Sequence, residues 1–176
     1  DSAAGGRMLL KSGHSTATSS GEMVLQTANS GAAGASGLMI LSTGTSASGN
    51  TGTIYMGTGD SAGGNSGQVY ITSGEAASSG RSGGIYMKAG LGSTDTGGEV
   101  YLSGGLTTDT TAGTSTGGRV SIVSGYSVAK SSGAMLLQTA NSGVAGVSGM
   151  VVMSTGTSAG GSSGHIFIGT GEATTS

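Results

Sequence analysis

Large apolar residues in this chain come in short bursts separated by glycine, serine and threonine, and the bursts share one pattern. Each starts at a glycine, and most read Gly–x–apolar–x–apolar–x–(Ser/Thr)–Gly. The opening glycines are Gly6, Gly21, Gly37, Gly52, Gly67, Gly83, Gly98, Gly118, Gly133, Gly149 and Gly164. Successive starts lie 15, 16, 15, 15, 16, 15, 20, 15, 16 and 15 residues apart. With the opening glycine as position 0, positions 2 and 4 are apolar in every unit, from Met8 and Leu10 through Met39 and Leu41 or Ile85 and Met87 to Ile166 and Ile168. Residues two apart on an extended chain share a face. The alternation predicts one short strand per unit, with the 2-and-4 column pointing into a common interior. A single unit cannot bury its own apolar residues, so stacking of units is the expected solution. The expected fold is all-β: a single-chain parallel β-solenoid (β-helix) of about 11 coils of 15–16 residues.

A longer period contains the shorter one. Residues 21–59 and 133–171 are identical at 25 of 39 positions at a fixed offset of 112. Seven units therefore form a super-repeat over 6–117, and 118–176 begins the next, the whole of 1–176 reading as one continuous solenoid segment. Neither end carries a distinct capping segment of the kind free solenoid ends need, so the segment is expected to belong to a longer array.

The residues between bursts predict the corners. Ser/Thr–Gly at positions 6 and 7, as in Thr43–Gly44, Thr58–Gly59 and Thr155–Gly156, reads as a turn whose glycine supplies a positive φ. Position 9 is serine in most units, among them Ser15, Ser30, Ser46, Ser61, Ser127, Ser142 and Ser158. A small residue there is expected to let the returning chain lie close. The 20-residue unit 98–117 carries five extra residues, which are expected to bulge around Thr107–Thr114. At position 1, Arg7 faces Glu22 in the next unit and Glu99 faces Arg119, which predicts opposite charges side by side in a stack.

Position 3 should face outward, yet it is almost always apolar or aromatic: Leu9, Val24, Ile40, Tyr55, Tyr70, Tyr86, Tyr101, Leu136, Val152 and Phe167, with Ser121 the exception. Exposed apolar ridges of this kind mark contact surfaces. These ten residues are the candidate lateral-packing site.

Composition narrows the function classes. The 176 residues include 39 Gly and no Pro, Cys or Trp, with 8% charged residues and a net charge of −2. Without cysteine there are no disulfides and no thiolate metal sites. No run approaches the roughly 18 apolar residues of a membrane span. Six Lys plus Arg scattered among eight acids make no nucleic-acid footprint. His14 and His165 have no partner at metal-ligand spacing, and nothing selects a catalytic pair among the carboxylates. No cofactor, metal or enzymatic activity is expected. The hydroxyl-rich returns offer acceptors for O-linked glycans.

The Gly/Ser/Thr-rich coils resemble repeats of large secreted surface proteins of algae and other protists, including filament and flagellar-hair components. That resemblance implies an extracellular or cell-surface structural protein whose partners are copies of itself or related solenoid chains. In coil length, and in Thr27, Thr43, Thr58, Thr139, Thr155 and Thr170, the chain is also similar to β-solenoid antifreeze proteins, which makes ice binding the alternative. Against it, the row where flat outward threonines belong holds Tyr, Leu and Ile. A further alternative is an adhesin or carbohydrate-binding rod that stacks sugars on the tyrosines. The expected function is a repeat segment of an extracellular fibre, assembled by coil stacking and by lateral packing of the ridge.

Overall fold

The computed structural model describes residues 5–94, 96–110 and 115–173. Among them there is no helix and no strand, only turns and bends between irregular stretches. The all-β solenoid expected from the alternation is therefore not the fold, and with it falls the dry interior column. Met39 is 49% exposed and Ile85 50%, and no described residue is buried. The chain exposes 17666 Å² at 16.5 kDa, where a packed domain of that mass exposes roughly 7,600 Å².

The physical reason lies in what each unit lacks. A core needs two apolar layers facing each other. The 2-and-4 column supplies one, but the returns that should face it are mostly Gly, Ser, Thr and Ala. Each apolar run is also only a few residues long before glycine interrupts it, and glycine loses the most conformational entropy on being ordered. The alternation survives only as a bias in exposure. Within one run Ile54 is 45% exposed, Tyr55 87% and Met56 65%.

The chain divides into two units, Asp1–Tyr86 and Met87–Ser176, and one local device recurs in both. The glycine that opens each repeat lies against position 6 or 7 of the repeat before it, closing the intervening return into a loop. In the first unit, a β-carbon added to Gly37 would lie 3.3 Å from Thr27 Cβ, and one on Gly52 3.4 Å from Thr43 Cγ2. The corresponding approaches are 3.0 Å for Gly67 on Thr58 Cγ2 and 3.3 Å for Gly83 on Ser73 Cβ. In the second unit, Gly98 lies against Ala89, Gly133 against Ser124, Gly149 against Thr139 and Gly164 against Thr155. The long unit keeps the closing bond, Gly118 N–H donating to the Gly105 carbonyl at 2.8 Å, with the two backbones closer than at the other closures. Part of the expected bulge, 111–114, lies outside the described residues.

The loops are fastened in two ways, and a small side chain at position 6 does not by itself give the first, since Gly83 makes no such bond after Ser73. In the first way, the opening glycine reaches the carbonyl at position 7. After Ser12, Ala89 and Ser124, the amides of Gly21, Gly98 and Gly133 donate to Gly13, Gly90 and Gly125 at 2.9, 3.1 and 2.9 Å. At all five threonines, Thr27, Thr43, Thr58, Thr139 and Thr155, the side chain lies against the opening glycine, and at two of them the hydroxyl makes the bond. Thr27 Oγ1 donates to the Gly37 carbonyl at 3.2 Å, and Thr58 Oγ1 to that of Gly67 at 3.4 Å.

Two corner expectations change accordingly. The glycines at position 7 do not carry the positive φ assigned to them; among the described residues that conformation belongs to Gly80, at φ 109°, inside a return. Glycine is demanded by close approach at position 0 instead. The position-9 serines do more than stay small. Ser46, Ser61 and Ser158 Oγ accept the amides of Gly49, Gly64 and Gly161 at 2.9, 3.1 and 3.0 Å. Ser15 and Ser127 accept those of Thr18 and Lys130 at 3.0 and 3.1 Å in the same way. These are hydroxyl-fastened turns, the local bonding that serine offers a chain without secondary structure.

Candidate functional site

Every residue of the expected ridge is exposed: Leu9, Val24, Ile40, Tyr55, Tyr70, Tyr86, Tyr101, Leu136, Val152 and Phe167. No stack aligns them into a continuous stripe, because there is no ladder to set a common register. Each sits at the centre of its own run, flanked by the position-2 and position-4 residues, which are exposed as well. The site is thus a series of short apolar segments held between closed loops. The expected neighbouring charges do not pair, for no ion pair joins Arg7 to Glu22 or Glu99 to Arg119.

Four of the aromatic residues take their local contacts from residues two away along the chain. The Tyr55 ring lies over Gly57, where an added β-carbon would stand 2.9 Å from its Oη. The Tyr86 ring lies over Gly84, with Cε2 at 3.0 Å from the same construction. Tyr70 Oη donates to Gln68 Oε1. Phe167 pairs with His165, ring centroids 5.9 Å apart and tilted by 53°. Gly57 and Gly84 thereby have a role that the sequence pattern did not assign them. Their spacing of two residues from a tyrosine was the available signal, since only glycine lets a ring lie flat along its own backbone.

Beyond these runs, the described residues form no cavity and no group of three or more His, Cys, Asp or Glu side chains placed to hold a metal ion. His14 and His165 are both exposed and far apart in sequence. Ser115 Oγ donates to Asp109 Oδ2 within the long loop, tying its two flanks. No helix among the described residues is long and apolar enough to cross a membrane. The threonines at position 6, the ladder that an ice-binding face would use, lie against the next opening glycine at Thr27, Thr43, Thr58, Thr139 and Thr155. Comparison with protein-family models, with curated proteins and with solved structures finds no match.

Proposed function

We propose that this chain is a non-enzymatic structural segment of an extracellular fibre or filament, which associates with copies of itself through its exposed apolar runs. The observation that carries this reading is the regular exposure of large apolar side chains, run after run, with none buried among the described residues. Exposed apolar area beyond a few hundred Å² is characteristic of contact surfaces. At roughly 150–250 Å² per buried aromatic, Tyr55, Tyr70 and Tyr86 of the first unit offer about 450–750 Å². Val24 and Ile40 bring that toward the ~800 Å² per partner of a stable interface.

A second copy is the occupant that the sequence favours. Nearly the same run occurs twice in the chain, as Met23–Thr27 and Met135–Thr139, which differ at Val24 and Leu136, so a copy presents an apolar segment of matching length. A net charge of −2 brings little repulsion between copies. Arg7 and Arg119 against Glu22 and Glu99 supply both signs at equivalent positions, which suits self-complementary pairing. Ice binding is less favoured, because its threonine row is engaged in loop closure.

Sedimentation and electron microscopy over a concentration series test the reading. The expected result is growth from small species to filaments as concentration rises. A chain that stays monomeric at high concentration would overturn it.

A further inference from the structure

Two tyrosines of the first unit are placed symmetrically about one loop closure. Tyr55 lies three residues before Thr58, and Tyr70 lies three residues after Gly67. Thr58 and Gly67 are in contact: the Thr58 hydroxyl donates to the Gly67 carbonyl at 3.4 Å, and its methyl group would stand 3.0 Å from a β-carbon on Gly67. Three extended residues span at most about 11 Å, so the closure bounds how far apart the two tyrosines can move.

Both side chains make their local contact with the neighbour that lies on the side of the closure. Tyr55 tips forward over Gly57, the neighbour of Thr58, with its Oη 2.9 Å from the β-carbon position there. Tyr70 has its one contact on the same side as the closure, its phenol donating to the side-chain Oε1 of Gln68, the neighbour of Gly67. Tyr86 shares only half of this arrangement. The Tyr86 ring lies over Gly84, toward Gly83, while Tyr70 on the other side of that closure is bonded to Gln68, on the side away from it. Both phenols of the 55/70 pair are freely accessible, at 87% and 79% exposure.

We infer that Tyr55 and Tyr70 form a site for oxidative coupling, joined as an intrachain dityrosine by a haem peroxidase with hydrogen peroxide as oxidant. The oxidant removes one hydrogen atom from each phenol, giving two phenoxyl radicals. These form one carbon–carbon bond between the ring positions ortho to oxygen. The two ring hydrogens then move to the oxygens, restoring both phenols. Two hydrogen atoms leave in all, and one hydrogen peroxide is reduced to two water molecules. The closure makes the encounter intramolecular, with an effective concentration on the order of millimolar for so short a connection. The bond would turn a loop held by one hydroxyl contact into a covalent one. This inference stands without association between copies, since both rings belong to one chain.

The test is treatment of the full chain, at a dilution where it is monomeric, with a haem peroxidase and hydrogen peroxide. Digestion and mass spectrometry then map the linked peptides. The expected result is a monomer lighter by two hydrogens, its link mapped to Tyr55 and Tyr70, with a yield unchanged on further dilution. Tyr70→Phe should lower intrachain dityrosine about tenfold. Gly57→Val keeps both phenols but displaces the Tyr55 ring, and should lower it by a smaller factor. Links spread evenly over all tyrosine pairs, Tyr126 included, would overturn the inference. So would an intrachain yield that Tyr70→Phe leaves unchanged.

Discussion

The returns and the runs of this chain are built from the same repeat and behave in opposite ways. Between position 6 and the next opening glycine, the backbone turns, finds hydrogen-bond partners and closes on itself. Between positions 1 and 5, the chain carries its most apolar residues and makes no backbone bond to a neighbouring run among the described residues. The part that looks like filler is ordered locally, and the part that looks like a core has nothing to pack against. The lesson is about range. A serine hydroxyl three residues from an amide, or a glycine without a β-carbon nine or ten residues from a threonine, needs only short-range complementarity. A strand ladder needs every run to find its neighbour over a longer separation, and the loop-closure entropy comes before any reward.

The comparison can be broken most forcefully on the side of the runs. Ile40→Asp combined with Val152→Asp places a charge at the centre of two runs without touching a closure. With roughly 1.5–3 kcal/mol lost per apolar side chain, the concentration needed for association should rise at least tenfold, measured by sedimentation. The amide exchange of Gly21 and Gly133 should not move.

On the side of the returns, Gly118→Val should have the largest effect. A β-carbon there meets the Gly105 amide nitrogen at 2.7 Å, backbone against backbone, so no side-chain rotation relieves it. Loss of the Gly118–Gly105 hydrogen bond removes about 1 kcal/mol of local stability, or about a fivefold gain in exchange rate at that amide. Ser61→Ala should do less. It deletes the acceptor for the Gly64 amide in an exposed turn, where water replaces it, and about a twofold gain in exchange at Gly64 is expected.

The smallest change sharpens the contrast. Thr58→Ala removes the methyl and hydroxyl that fasten the loop to Gly67. The loop should then adopt the fastening used after Ala89, with the Gly67 amide turning to the Gly59 carbonyl. Protection appearing at the Gly67 amide in exchange measurements would check it. An unprotected amide with a spread loop would mean that the Thr58 side chain does not stand in for the glycine bond.

The repeat period, the site of the length variation and the recurrence of the opening glycine were all legible in the sequence, though not the close approach that demands it. Glycine recurs at position 0 whatever the length of the return, and the Gly105–Gly118 closure keeps that register across the long unit. Alternation at positions 2 and 4 misled, because it specifies a shared face and not what covers that face. Met39 and Leu41 satisfy the strand pattern as well as any strand would, yet the return that follows, Thr43 to Thr51, has no large apolar residue to set against them. Glycine's role was similarly misplaced at Gly44 and Gly59, where an added β-carbon would meet nothing within 4 Å. The Tyr55–Gly57 and Tyr70–Gln68 contacts depend on rotamers, which a repeat pattern does not encode.

Residue-resolved amide exchange on the dilute, monomeric chain tests the account most directly. Protection should fall at Gly21, Gly98, Gly118 and Gly133, about fivefold over the amides of Val100–Leu102 and Val120–Ile122, as one hydrogen bond each implies. Runs protected more strongly than the closing glycines would mean that the runs are laddered after all, and would contradict a chain ordered by its loops.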